Sequence, residues 1–85
     1  MDINVVIKHP LSTEKSLRLM ESENKLIFVV DRKAKKQEIK QAIEKTFKAK
    51  VLNVNTFIKG NEKRAYVTFS NETPAIDIAT NLGLM

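Results

Sequence analysis

Apolar residues recur along this chain with two different periods, and each change of period marks a boundary between elements. Ile3 to Ile7 is a short β-branched run that reads as a strand, closed by Lys8-His9-Pro10 because proline forces the residue before it out of helical geometry. Ser12 or Thr13 can then cap a short helix, with Glu14 at the positive end of its dipole and Leu17 and Met20 turned inward. Glu21 to Asn24 is a polar connection. Lys25 to Asp31 is the strongest strand signal: Leu26, Ile27, Phe28, Val29 and Val30 are apolar without alternation, which predicts cover by helices on both sides. A helix from about Lys35 to Lys48 follows. Its apolar residues, Ile39, Ala42, Ile43 and Phe47, are spaced by three and four, so one face is core. A crossover of that length suits parallel pairing of the strands on either side.

From Val51 to Lys59 the period falls to two. Leu52, Val54, Thr56 and Ile58 are predicted to lie on the buried face, and Asn53, Asn55, Phe57 and Lys59 on the other. Gly60-Asn61-Glu62 makes a turn, and Lys63 to Ser70 returns with Ala65, Val67 and Phe69 inward and Arg64, Tyr66 and Thr68 outward. Thr73-Pro74 is a helix start, after which Ala75, Ile76, Ala79 and Leu82 face the core until Gly83 supplies a left-handed cap. The expected fold class is α+β: one compact domain, residues 1–85, with a mostly antiparallel four-stranded sheet and helices packed on its faces, a ferredoxin-like split βαβ variant.

Composition narrows the function classes. The 85 residues suffice for one core, and so small a domain buries only roughly 60–65% of its unfolded surface, which leaves a thin stability margin. The absence of cysteine excludes a disulfide framework and the usual Cys-containing zinc sites, and suits a reducing cytosol. The amino terminus lacks the pattern of a secretory signal, and no stretch approaches a membrane span, so the expectation is a cytoplasmic protein without membrane insertion. Gly60 and Gly83 are the only glycines, so there is no Gly-rich phosphate loop. His9 is the only histidine; with Ser12, Ser16 and Glu14 near it a nucleophilic site is conceivable, but a polar strand-to-helix connection explains the same residues. Glu21 and Glu23 read as solvated. No catalytic residue, metal or cofactor is therefore expected.

The charge points elsewhere. The formal net charge is +5. Between Asp31 and Thr56 stand Arg32, Lys33, Lys35, Lys36, Lys40, Lys45, Lys48 and Lys50 against only Asp31, Glu38 and Glu44, a cationic rim suited to a polyanion. The outward residues of the last two strands, Asn53, Asn55, Phe57, Arg64, Tyr66 and Thr68, add amide, aromatic and guanidinium groups of the kind on which unpaired bases stack. The alternative is that Phe57 packs under the carboxy-terminal helix and Tyr66 is half-buried core. Ile27 to Asp31 and Ala65 to Phe69 also loosely resemble the two strand motifs of an RNA-recognition-motif domain. Lys63 stands where that family has glycine and Arg64 where it has an aromatic, and no fourth strand follows the last helix. A free single-stranded RNA-binding module of that kind is the alternative function.

Three motifs taken together resemble the large-ribosomal-subunit protein family called L twenty-three. They are Pro10 with Thr13-Glu14-Lys15, then Ala34-Lys35-Lys36-Gln37-Glu38-Ile39-Lys40-Gln41-Ala42, then Val51-Leu52-Asn53-Val54-Asn55-Thr56; the strand Lys63 to Phe69 matches the family's Lys-Arg/Lys-Ala-Tyr-Val strand. The resemblance covers nearly the whole chain. Lys35 departs from it, standing where the family often has Asn or Thr, at a cost of about 1 kcal/mol in helix capping. The short turn at Gly60, Asn61 and Glu62 replaces the long basic loop of bacterial members, so the chain looks like an archaeal member.

The resemblance implies a non-enzymatic constituent of the large ribosomal subunit, cytoplasmic and within the ribosome. It would bind large-subunit ribosomal RNA beside the polypeptide tunnel exit, next to neighbouring large-subunit proteins. Contacts to ribosomal RNA are expected from Lys8, His9, Lys15, Arg32, Lys33, Lys35, Lys36, Lys40, Asn53, Asn55, Thr56, Lys59, Lys63, Arg64 and Tyr66. The family's docking glutamate for the signal recognition particle or other exit-site factors falls at Glu14, whose plainer reading is a helix-dipole partner.

Overall fold

The computed structural model describes residues 6–11 and 13–81. The start of the expected first strand at Ile3, the Ser12 cap, Leu82 and the Gly83 cap lie outside the described residues. Seven elements follow one another: β1 (Ile7–Pro10), α1 (Glu14–Glu23), β2 (Lys25–Val30), α2 (Lys36–Phe47), β3 (Val51–Lys59), β4 (Glu62–Phe69) and α3 (Ala75–Asn81). The four strands form one sheet in the order β1-β2-β4-β3, with antiparallel pairing throughout. This is the α+β arrangement that the patterning predicts. The strands flanking α2 run parallel to each other yet do not pair, because β4 lies between them. Its alternating Ala65, Val67 and Phe69, all buried, fit a central position better than the largely exposed β3 does.

The first strand does not stop before Lys8-His9-Pro10 but runs through it. β1 is an edge strand with a register shift between Ile7 and His9, and at an edge the missing amide of Pro10 need not break a ladder.

The three helices among the described residues all contribute to one apolar cluster: Met20 from α1, Ile39 and Ile43 from α2, and Ala75, Ile78 and Ala79 from α3. Leu26, Phe28 and Val30 of β2 belong to it, and Phe28 stacks on Phe47 with ring centroids 6.3 Å apart. Ile27 and Val29 are equally buried but point to the other face, outside that cluster. The helix cover expected on both sides of β2 is therefore found on one. On the second face the cross-strand neighbours of Ile27 and Val29 are Tyr66, Arg64 and His9, side chains long enough to shield them.

Four residues expected inward lie at the surface: Leu17, Leu52, Ile58, near the turn of the β3–β4 hairpin, and Ile76. A register irregularity between Val51 and Asn53 makes Val51 and Val54 the buried pair of β3 and turns Leu52 out, 61% exposed. In α3 the buried residues are Ala75, Ile78 and Ala79, spaced by three and four, so Ile76 is exposed; Leu17 of α1 is also at the surface.

The chain is pinned by local polar geometry. Thr13 Oγ1 accepts the Ser16 amide at 3.2 Å and Ser16 Oγ accepts the Thr13 amide at 2.8 Å, a reciprocal cap for α1. For α2, Lys35 has no acceptor to offer, and Glu38 supplies the one cap contact by taking the Lys35 amide at 3.1 Å. Thr73 does not serve α3 with its hydroxyl, which accepts from the Lys50 amide at 3.2 Å; the Ala75 amide goes instead to Asn24 Oδ1 at 2.6 Å.

Gly60 opens the two-residue turn between β3 and β4 with φ +62°. A Cβ there meets nothing within 4 Å, so Gly60→Ala is strained only by the left-handed backbone. The expected loss is about 1–2 kcal/mol, read as a fall in Tm of roughly 4–16 °C by circular dichroism.

Candidate functional site

Cross-strand register sorts the expected contact residues between the two faces of the sheet. On the face away from the helices, one row runs His9, Val29, Arg64, Phe57, a second Ile27, Tyr66, Asn55, and a third Lys25, Thr68, Asn53. Thr56 and Lys63 have the opposite parity, since Thr56 pairs with buried Ala65 and Lys63 with Ile58.

The centre of the open face is aromatic. Phe57 and Tyr66 meet at 5.1 Å between centroids and 73° between planes, edge to face. Lys15, at the start of α1, places its ammonium 5.6 Å from the Tyr66 ring centroid, within cation–π range. Tyr66 is half-buried and Phe57 is 58% exposed. Phe57 is thus not packed under α3, while the half-buried state of Tyr66 is as the alternative reading has it. Arg64 Nε is held 2.7 Å from Glu62 Oε1, and Lys59 is exposed at the end of the hairpin.

A second concentration of charge lies along β3. Lys36 and Lys40, one turn apart on α2, line a surface groove of about 220 Å³ together with Gln37, Leu52, Asn53 and Val54. The spacing of four that joins the two lysines was visible in the sequence; the bulge that turns Leu52 into the groove was not. Beside α2, Arg32, Lys33 and Lys35 are exposed on the connection from β2. Asp31 holds that connection by accepting the Lys33 amide at 2.8 Å on its carboxylate and the Ala34 amide at 3.0 Å on its carbonyl. Lys63 Nζ donates to Ala34 O at 2.6 Å, so its ammonium braces the same turn from below. Lys8 and His9 stand apart from this groove on β1, the opposite edge strand.

Glu14 projects from the first turn of α1, 83% exposed, and pairs with Arg18 at 2.9 Å. It is a surface group with a solvated partner. Among the described residues no three His, Cys, Asp or Glu side chains gather as a metal site, and no helix is long and apolar enough to cross a membrane.

These surfaces sit on a chain whose motifs have relatives. A family model described as ribosomal protein L23 matches residues 5–79. The chain belongs to that family. It is 46% identical over 86 residues to the large ribosomal subunit protein uL23 of the archaeon Methanococcus vannielii, with 99% of each chain covered. It is thus an archaeal-type L23 family member, a ribosomal protein working within a cytoplasmic particle, in a family that is not one of enzymes. The family motifs now have places: Thr13-Glu14-Lys15 caps and opens α1, the Ala34 to Ala42 stretch turns into α2, and Val51 to Thr56 is the bulged half of β3.

Proposed function

We propose that the protein is a non-enzymatic structural constituent of the large ribosomal subunit, its residues 1–85 acting as one RNA-binding domain that grips large-subunit RNA beside the polypeptide tunnel exit. The observation that carries this is the full-length likeness to an archaeal large-subunit protein. The distribution of charge supports it. Lys36 and Lys40 line a groove, Arg32, Lys33 and Lys35 stand exposed on the connection into α2, Lys8 and His9 lie on β1, Lys15 reaches the Tyr66 ring and Lys59 is exposed at the hairpin end. Asn53, Asn55 and Thr56 offer shorter polar groups to sugars and base edges. Lys63 and Arg64 complete the set, each already held by a partner in the protein.

Cosedimentation with intact large subunits through salt gradients tests the reading. Retention should weaken as salt rises, and the affinity for isolated large-subunit RNA should fall with a log–log slope of about −0.7 to −0.9 per phosphate neutralised. Affinity indifferent to salt, or no association with the large subunit, would refute it.

The exposed side of α1 around Glu14 is the proposed contribution to the docking site for the signal recognition particle or other factors meeting the emerging chain. Glu14→Lys should abolish capture of such a factor by reconstituted subunits, while leaving RNA affinity unchanged or slightly raised. An unaltered factor affinity in the same assay would remove Glu14 from the docking surface.

A further inference from the structure

On the open sheet face the two aromatic rings are not equivalent. Tyr66 is half-buried, with the Lys15 ammonium 5.6 Å from its ring centroid and Phe57 edge to face with it at 5.1 Å. Phe57 is 58% exposed on an edge strand, the most exposed aromatic ring among the described residues. A phenyl ring left in water beside a cation and a guanidinium is poorly placed as core and well placed as a platform. Stacking on such a platform is indifferent to base identity, because every base has a π-face.

We infer that Phe57 is a stacking site for one unpaired nucleobase of RNA, with Tyr66 as the buttress that fixes its ring and Lys15 as the cation that locks the buttress. The inference rests on the proposed binding to large-subunit RNA and names the ring that does the stacking. Its neighbours suit a nucleotide. Asn55, two residues along the same strand face, lies about 7 Å away, within reach of a base edge, and Arg64 is directly across from Phe57. Lys59 is two residues beyond Phe57 on the same side, an exposed cation for the attached phosphate; its cross-strand neighbour Glu62 is engaged by Arg64 at 2.7 Å. The lysines around the ring favour RNA over a protein partner, since protein interfaces are depleted of lysine relative to the rest of the surface while phosphates attract it.

The test compares Phe57→Ala and Phe57→Tyr for binding to large-subunit RNA freed of its proteins. Phe57→Ala should weaken binding about 5- to 150-fold with an unchanged salt slope, since stacking releases no counterion, and Phe57→Tyr should bind like the parent. Melting curves check the fold, which an exposed ring should barely affect. Photocrosslinking of the parent complex gives a readout independent of any variant, with a nucleotide expected on the peptide that carries Phe57. If the parent protein binds the RNA, an equal affinity for Phe57→Ala or a crosslink map without Phe57 overturns the stacking site and leaves the RNA-binding reading standing. Loss of a neighbouring ribosomal protein's contact in Phe57→Ala, with RNA affinity intact, assigns the ring to a protein interface and also overturns it. Failure of the parent to bind RNA overturns the broader reading instead.

Discussion

Asn24→Ala should lower stability by about 3 kcal/mol, a Tm loss of roughly 12–24 °C for a domain of this size. Every polar group of Asn24 is engaged. Its amide donates to Leu19 O, and its carbonyl accepts from the Phe69 amide at 3.1 Å. Its Nδ2 stands 3.0 Å from Phe69 O, 3.0 Å from Ser70 O and 3.2 Å from Thr73 O, two hydrogens shared among three carbonyls. Its Oδ1 takes the Ala75 amide at 2.6 Å. One carboxamide thus ties the end of α1, the end of β4 and the start of α3, and it does so from a left-handed residue with φ 56°. Alanine loses the side-chain bonds and is strained in that conformation. Asn24→Gly relieves only the strain and should recover about 1 kcal/mol. Asn24→Asp keeps the acceptor but aims a carboxylate at three carbonyls, so it should do no better than alanine. A fall in Tm of less than 4 °C for Asn24→Ala would show that water replaces the clamp.

The second large effect is on RNA. The double reversal Lys36→Glu with Lys40→Glu should reduce affinity for large-subunit RNA by about 100-fold or more at 0.1 M salt and make the salt slope shallower by about 2. Both side chains are exposed and line the same groove, so reversal replaces two attractions with two repulsions without disturbing the core. The fold should, if anything, benefit at position 36, because a carboxylate in the first turn of α2 complements the helix dipole where lysine opposes it. A melting temperature at or above the parent's, together with weak binding, would separate lost recognition from lost structure. Unchanged binding in filter retention would remove this groove from the interface.

How much of this was legible beforehand depends on where each residue's environment comes from. The α2 stripe and the alternation of β4 were readable because their periods run unbroken, and each buried residue has its expected neighbour. On the inner face of β3 Val54 is buried as the alternation predicts, but Leu52 turns out because a bulge after Val51 shifts the parity there, and nothing in the alternation of Val51 to Lys59 announces the extra residue. Asn24 looked like one polar residue in a connection; its partners are 45 to 51 positions away, beyond the reach of any local pattern. The one local hint was its place just after a helix, where asparagine tolerates left-handed geometry. The cationic character of the α2 side was legible from lysine spacing. The confinement of Lys63 to the Ala34 carbonyl was not, since an ammonium free in solution and one bracing a turn read the same.

The strand order has a consequence for how this chain acquires its shape. β4, the last strand among the described residues to be synthesised, is the one that fills the slot between β2 and β3. Until residues 62–69 have left the ribosome that makes them, β2 and β3 have nothing to zip onto, and only the β1–β2 pairing can close. Completion of the sheet during translation should therefore wait until residue 69 has emerged, and should then come as one late cooperative event.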